Sequence, residues 1–220
     1  CGITCFNENH IFKVYDRAAA EFTDPGYRRV ADPFDAKFHR SLVRSGDGAL
    51  YAACALLHCS DRYMEAPGSP IIRYEPDSGR LKRYDPPLPH AYIQALALDE
   101  SRRRLYGLCF PPEYLISWDL DTHETEILAL IGSGYGGMTQ GENICLDSEG
   151  CCWTNWSLTR AWQDHPGPDM HRLARYDPGQ AAGPDGRQLR RVPRRDPPDL
   201  RRRGRRGGHP QQLHAVPGPL

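Results

Sequence analysis

A repeat of roughly fifty residues constrains this chain more than any other feature. The stretches "SLVRSGDGALYAA", "ALALDESRRRLYGL" and "NICLDSEGCCWTN" each run from a short apolar strand through a turn rich in Asp, Ser, Glu or Gly into a second strand. An aromatic opens that second strand each time: Tyr51, Tyr106 and Trp153, at spacings of 55 and 47 residues. A second hairpin follows in "IIRYEPDSGRLKRYD", "LISWDLDTHETEILAL" and "HRLARYDPGQ", where an aromatic precedes an acid at Tyr74-Glu75, Trp118-Asp119 and Tyr176-Asp177. An earlier copy stands in "IFKVYDRAAAEFTD", with Tyr15-Asp16.

Two hairpins per period make four antiparallel strands, the grammar of a β-propeller blade. Helical solenoids would need apolar residues at i, i+3 and i+4 over long windows, and no such window occurs. The expected fold is all-β: a propeller fragment of about three to four four-stranded blades, with half a blade up to about residue 31 and further blades near 39–87, 92–131 and from 141. The start "CGITCFNENH" has no initiator Met and reads as a cut, so it gives no compartment.

Charge divides the chain. Residues 181–220 hold ten arginines against three aspartates, leaving the rest with eighteen basic and twenty-five acidic residues. That segment has no Phe, Tyr or Trp and no period, so it cannot offset the entropy of folding. The expected organisation is a partial propeller over 1–180 and a disordered basic tail over 181–220. The tail's abrupt Arg, Pro, Gly and Ala composition reads as a frameshifted or artefactual end; the rival reading is a phosphate-neutralising arm. No nucleic-acid partner is expected without such an arm. No apolar run is long enough to span a membrane, so no membrane partner is expected either. The eight cysteines form no CxxC pair and are read as small buried hydrophobes.

The first strand of a propeller blade lines the central channel, so residues at equivalent strand starts converge on one mouth. His39 stands there before one blade, His90, Tyr92 and Gln94 before the next, and Glu142 and Asn143 before the third. The hairpin "KFHRSLVRSGDGALYAACALLH" returns His58 to the same end as His39. Taken singly, each histidine is equally well a satisfied edge residue; the repetition of position is what makes a cleft. Trp153, Trp156 and Trp162 offer stacking surface or blade packing. His123 in "DTHETE" and the "SRRR" turn read as solvated, Arg40 as pointing away from the mouth by strand alternation, and "IGSGYGG" as an inter-blade loop.

On "KFHRSLVRSGDGALYAA", "YIQALALDESRRRLYGLCFPPEYLISWDL" and "RYEPDSG", the chain resembles the seven-bladed propeller polysaccharide lyases typified by ulvan lyases, and more loosely NHL and streptogramin-lyase-like propellers. The resemblance implies β-elimination on a uronic-acid-containing polysaccharide, with His39 and His58 matching the paired histidines of the cleft and Tyr92 a catalytic tyrosine. His90, Gln94, Glu142, Asn143 and Trp153 would then bind substrate. It also implies a secreted or periplasmic protein. No residue is found for the arginine that would neutralise the uronate. No cofactor is called for, although a structural divalent metal is compatible. Two rivals stand beside the lyase: a non-catalytic propeller that binds a glycan or protein partner, and a metal-dependent lactonase-type hydrolase using Glu142 and Asn143.

Overall fold

The computed structural model describes residues 11–55, 65–110, 113–132, 143–158, 170–180 and 189–191. Strands β1 (Val14–Asp16) and β2 (Glu21–Thr23) form a hairpin, followed by a single 3-10 turn at Tyr27–Arg29. The first blade comprises β3 (Lys37–Phe38), β4 (Val43–Arg44), β5 (Leu50–Ala55), β6 (Ile71–Glu75) and β7 (Arg80–Arg83). The second comprises β8 (Tyr92–Asp99), β9 (Arg104–Phe110), β10 (Glu113–Asp119) and β11 (Thr125–Gly132). The third comprises β12 (Ile144–Leu146), β13 (Cys152–Leu158), β14 (Met170–Tyr176) and β15 (Leu189–Arg191). Each blade is an antiparallel meander, and no described helix is long and apolar enough to cross a membrane. The chain is therefore all-β with blades of propeller type. In the last described strand, β15 pairs Leu189 with Tyr176 and Arg191 with Ala174. The rest of the basic segment lies outside the described residues.

The blades share one register. Tyr51, Tyr106 and Trp153 stand opposite Arg73, Ser117 and Arg175, each one residue before the aromatic of the third strand. The turns between first and second strands are also alike. Gly48 N–H donates to Ser45 O, Arg103 to Glu100 and Gly150 to Asp147, and each donor has φ between 56° and 87°. That left-handed position is easiest for glycine, which fills it in two blades of three.

Packing follows from the strand period of two. Tyr51 looks forward and Trp118 backward, so they meet in one core with Ile71, Ile93, Leu105 and Ile116 between the first two blades. Tyr106 and Tyr176 meet in the same way between the second and third blades, with ring centroids 5.8 Å apart. Tyr74 packs backward on Ile11, Phe12 and Phe38. The segment before β3 is clipped to the first blade by Asp35, which accepts from Tyr27 Oη at 2.7 Å and from Arg83 Nη1 at 2.5 Å.

Candidate functional site

The innermost strand of the first blade is broken. Between the pairs Phe38↔Cys54 and Val43↔Tyr51, it uses four residues where β5 uses two. The excess bulges toward the second blade, where Arg40 forms a parallel bridge with Ala95. Arg40 N–H donates to Gln94 O at 2.9 Å, and Leu96 N–H donates to Arg40 O at 3.4 Å. Strand β8 is bulged at the same height, since Gln94 is the extra residue between the pairs Ile93↔Cys109 and Ala95↔Leu108. Two facing bulges thus stitch the innermost strands of adjacent blades together.

The bulge would strip Ala53 of its ladder partner, and a buried unpaired peptide is costly. Ser41 takes that place: its fully buried hydroxyl donates to Ala53 O at 2.7 Å and accepts from Ala53 N–H at 3.1 Å. Freed from alternation, the Arg40 side chain is exposed and reaches the third blade, donating from Nη1 to Asn143 Oδ1 at 3.0 Å. The alternation from which Arg40 is expected to face away from the mouth does not run through this segment, because it holds only in an unbroken strand. Arg40 thus joins all three blades, the second through its backbone and the third through its guanidinium.

The other expected site residues are distributed unevenly. Tyr92 is 1% exposed, packs in a small core with Ala55 and Ala66, and accepts from Gln94 Nε2 at 2.9 Å. Gln94 is itself buried. Ser69 holds this entry closed, accepting from Ile93 N–H at 2.8 Å while donating to Cys54 O. His39 is half-buried beside Arg40. His90 occupies the left-handed region at φ 57°, with Nδ1 2.8 Å from Ala66 O. Trp153, in β13, braces the preceding turn: its indole N–H donates to Asp147 Oδ2 at 2.7 Å, and Arg175 lies 5.8 Å over its ring. His58, Glu142 and Trp162 lie outside the described residues, as does the side chain of Trp156.

A divalent metal would need oxygen donors free to converge. Among the described residues, Asp147, Glu149 and Cys151 bring their ligand atoms within 4.8 Å of one another. The trio does not fit a hard cation. Asp147 Oδ1 already accepts from the N–H groups of Glu149 at 3.0 Å and Cys151 at 2.9 Å, and Trp153 takes Oδ2. Arg175 Nη2 stands 2.8 Å from the Cys151 sulfur and 3.4 Å from Glu149. Burial pushes the Cys151 thiol up, away from the thiolate a metal would bind. The bond from Trp153 holds the Asp147 carboxyl low, as befits a turn cap. This trio closes a turn.

No family model matches the chain, and no curated protein does. Solved structures do. A gluconolactonase from Xanthomonas campestris superposes with a TM-score of 0.51 at 15% identity, covering 79% of this chain and 54% of its own. A calcium-binding protein, regucalcin, from Agrobacterium tumefaciens gives 0.46 at 15% identity over 86% and 58%. A luciferin-regenerating enzyme gives 0.48 at 9% identity over 71% and 47%. The chain thus spans about half the length of these structures, and the likeness concerns the fold. The polysaccharide-lyase reading is corrected here. The gluconolactonase, at a TM-score of 0.51, is not a lyase, none of the structures named above is an ulvan lyase, and Tyr92, the residue that reading would use as proton donor, is buried.

Proposed function

We propose that this chain is part of a lactonase-type hydrolase that opens a small cyclic ester at the mouth where the three first strands meet. The observation that carries the reading is Arg40, lifted out of its strand by a double bulge and bonded to Asn143 of the third blade. Bulges of this kind re-aim side chains, and their concentration next to active sites has a physical reason. The likeness to a gluconolactonase fold supports the choice of ester.

The chemistry asks for two things. Water must add to the ester carbonyl, and the oxygen that becomes negative must meet positive charge or hydrogen-bond donors. A guanidinium is a planar fork of N–H donors, and one of those of Arg40 reaches Asn143. Arg40 would face the carbonyl oxygen, and the Asn143 amide N–H groups would hold a neighbouring hydroxyl or the ring oxygen. His39, adjacent to Arg40, is the described candidate for accepting the proton of the attacking water. The acyl C–O bond then breaks, and the proton passes to the departing alkoxide to give a hydroxy acid. No step is assigned to the Asp147 turn.

The test is acid release from a panel of sugar lactones, followed with a pH indicator on the 220-residue chain. Arg40→Ala should cut turnover about 100-fold or more, and Arg40→Lys should recover only part of it, because the fork of donors is lost. Undiminished turnover in Arg40→Ala would sink the proposal. A non-catalytic propeller that binds a glycan is the second reading, favoured by the mutual satisfaction of Tyr92 and Gln94; saturable glycan binding that is lost in Arg40→Ala, without turnover of any lactone, would select it.

A further inference from the structure

The geometry points to a second binding site, for a short neutral saccharide, in the cleft between the outer strand of the first blade and the β10–β11 turn of the second. This inference is independent of the hydrolase reading, since no residue of a first strand lines the cleft. Its volume of about 530 Å³ lies within the roughly 300–1,000 Å³ of small-molecule sites. Pro86 and Pro87 close one wall with little side-chain entropy to lose.

The opposite wall is aromatic. Tyr84 packs on Trp118 at 5.2 Å and on His123 at 4.7 Å, while the His123 ring lies nearly parallel to the Trp118 indole at 5.2 Å and 15°. Trp118 is buried, but His123 is exposed. The imidazole therefore extends an aromatic surface outward from the inter-blade core. Lys82 Nζ sits 4.3 Å above the Tyr84 ring, with its charge at the rim. Asp85 and Thr125 supply acceptors.

The backbone of His123 is the independent observation. Its φ of 63° is left-handed, a conformation that disfavours any residue with a β-carbon. Four residues after the acid of the aromatic-acid pair, the first blade has Gly79 at φ 67° in the equivalent turn. Glycine would suit the second blade equally well, yet the chain holds an imidazole there and aims it at the cleft.

The lining selects a class of ligand. One lysine and one aspartate on the rim give no net charge, and Arg83 is engaged by Asp35 at 2.5 Å, so the cleft is not built for an anion. A donor at Lys82 and acceptors at Asp85 and Thr125, beside aromatic and proline surfaces, match a pyranose, whose C–H face is apolar and whose edge is a belt of hydroxyls.

Calorimetric titration of the full 220-residue chain with maltotriose, cellotriose, xylotriose and mannotriose tests the site, with polygalacturonate as an acidic probe. At least one neutral trisaccharide should bind saturably. His123→Gly, which removes the ring while easing the backbone, and Lys82→Ala should each weaken that binding about tenfold, whereas Arg40→Ala should leave it unchanged. Absence of saturable binding by every trisaccharide would overturn the inference. So would binding of polygalacturonate alone, or binding that survives His123→Gly but disappears in Arg40→Ala.

Discussion

The first and second blades follow one plan with the same register of aromatics, yet their innermost strands differ. In the second blade, β8 pairs with β9 from Tyr92 to Asp99 with a single extra residue. In the first, the corresponding strand is cut into β3 and β4, and a serine hydroxyl stands in for a peptide. The regular strand builds wall. The broken one carries Arg40 across to the second and third blades, so the departure from the repeat is where a function specific to this chain is to be sought.

Three substitution or pH experiments would break or sharpen that comparison. The largest effect is expected from Trp118→Ala, which empties the core shared by both blades and should cost about 3–5 kcal/mol in urea unfolding. Probes in the two blades should lose structure together; separate transitions would show the blades to be independent. Ser41→Ala comes next. It leaves both polar groups of the buried Ala53 peptide without the hydroxyl, at about 1–3 kcal/mol, with slowed or reduced lactone turnover as Arg40 loses its anchor. A neutral result would mean that the strand interruption is incidental.

The smallest effect concerns acid. The Asp47 carboxyl is held at about 2 chiefly by the Ser45 hydroxyl and the Ala49 N–H, and Glu75 at about 2 chiefly by Arg80. Both lie in turns of the first blade. Because these values lie below the ordinary carboxylate range near 4, the groups favour the fold above about pH 4 and lose that contribution as pH falls toward 2. Both carboxylates are screened by solvent, so the change should be a shallow slope in the unfolding midpoint. Asp47→Asn should flatten it. An unchanged slope would mean that the first-blade turns contribute nothing to acid sensitivity.

The blades were legible because their signals are local. Tyr51 and Tyr106 open strands after polar turns that each contain an aspartate, and the aromatic-acid pairs end third strands, as period-2 patterning and turn chemistry require. Strand-start positions were legible too, which placed Asn143 at a strand entry. What could not be read was register across the sheet. The two-residue excess opposite Ala52 and Ala53 depends on where β5 pairs, and "HRSL" alone does not state it. The burial of Tyr92 likewise depends on Ala66 and the Ser69 loop, which arrive from the preceding blade. His123 was read as a solvated turn residue; it is in a turn and exposed, but its stacking on Trp118 needed the third strand beneath it. The "SRRR" arginines are similarly engaged, Arg102 with Asp99 at 2.8 Å and Arg103 with Asp121 at 2.6 Å.

Propeller blades are commonly regarded as interchangeable modules, each contacting its neighbours only through side chains. The parallel bridge between Arg40 and Ala95 makes the first two blades an exception, because main-chain hydrogen bonds run from one sheet into the next. Duplicating, deleting or grafting either blade alone would cut a backbone ladder, which no compensating choice of side chains on the other blade can restore. For recombination, by nature or in design, the transferable unit here is the pair.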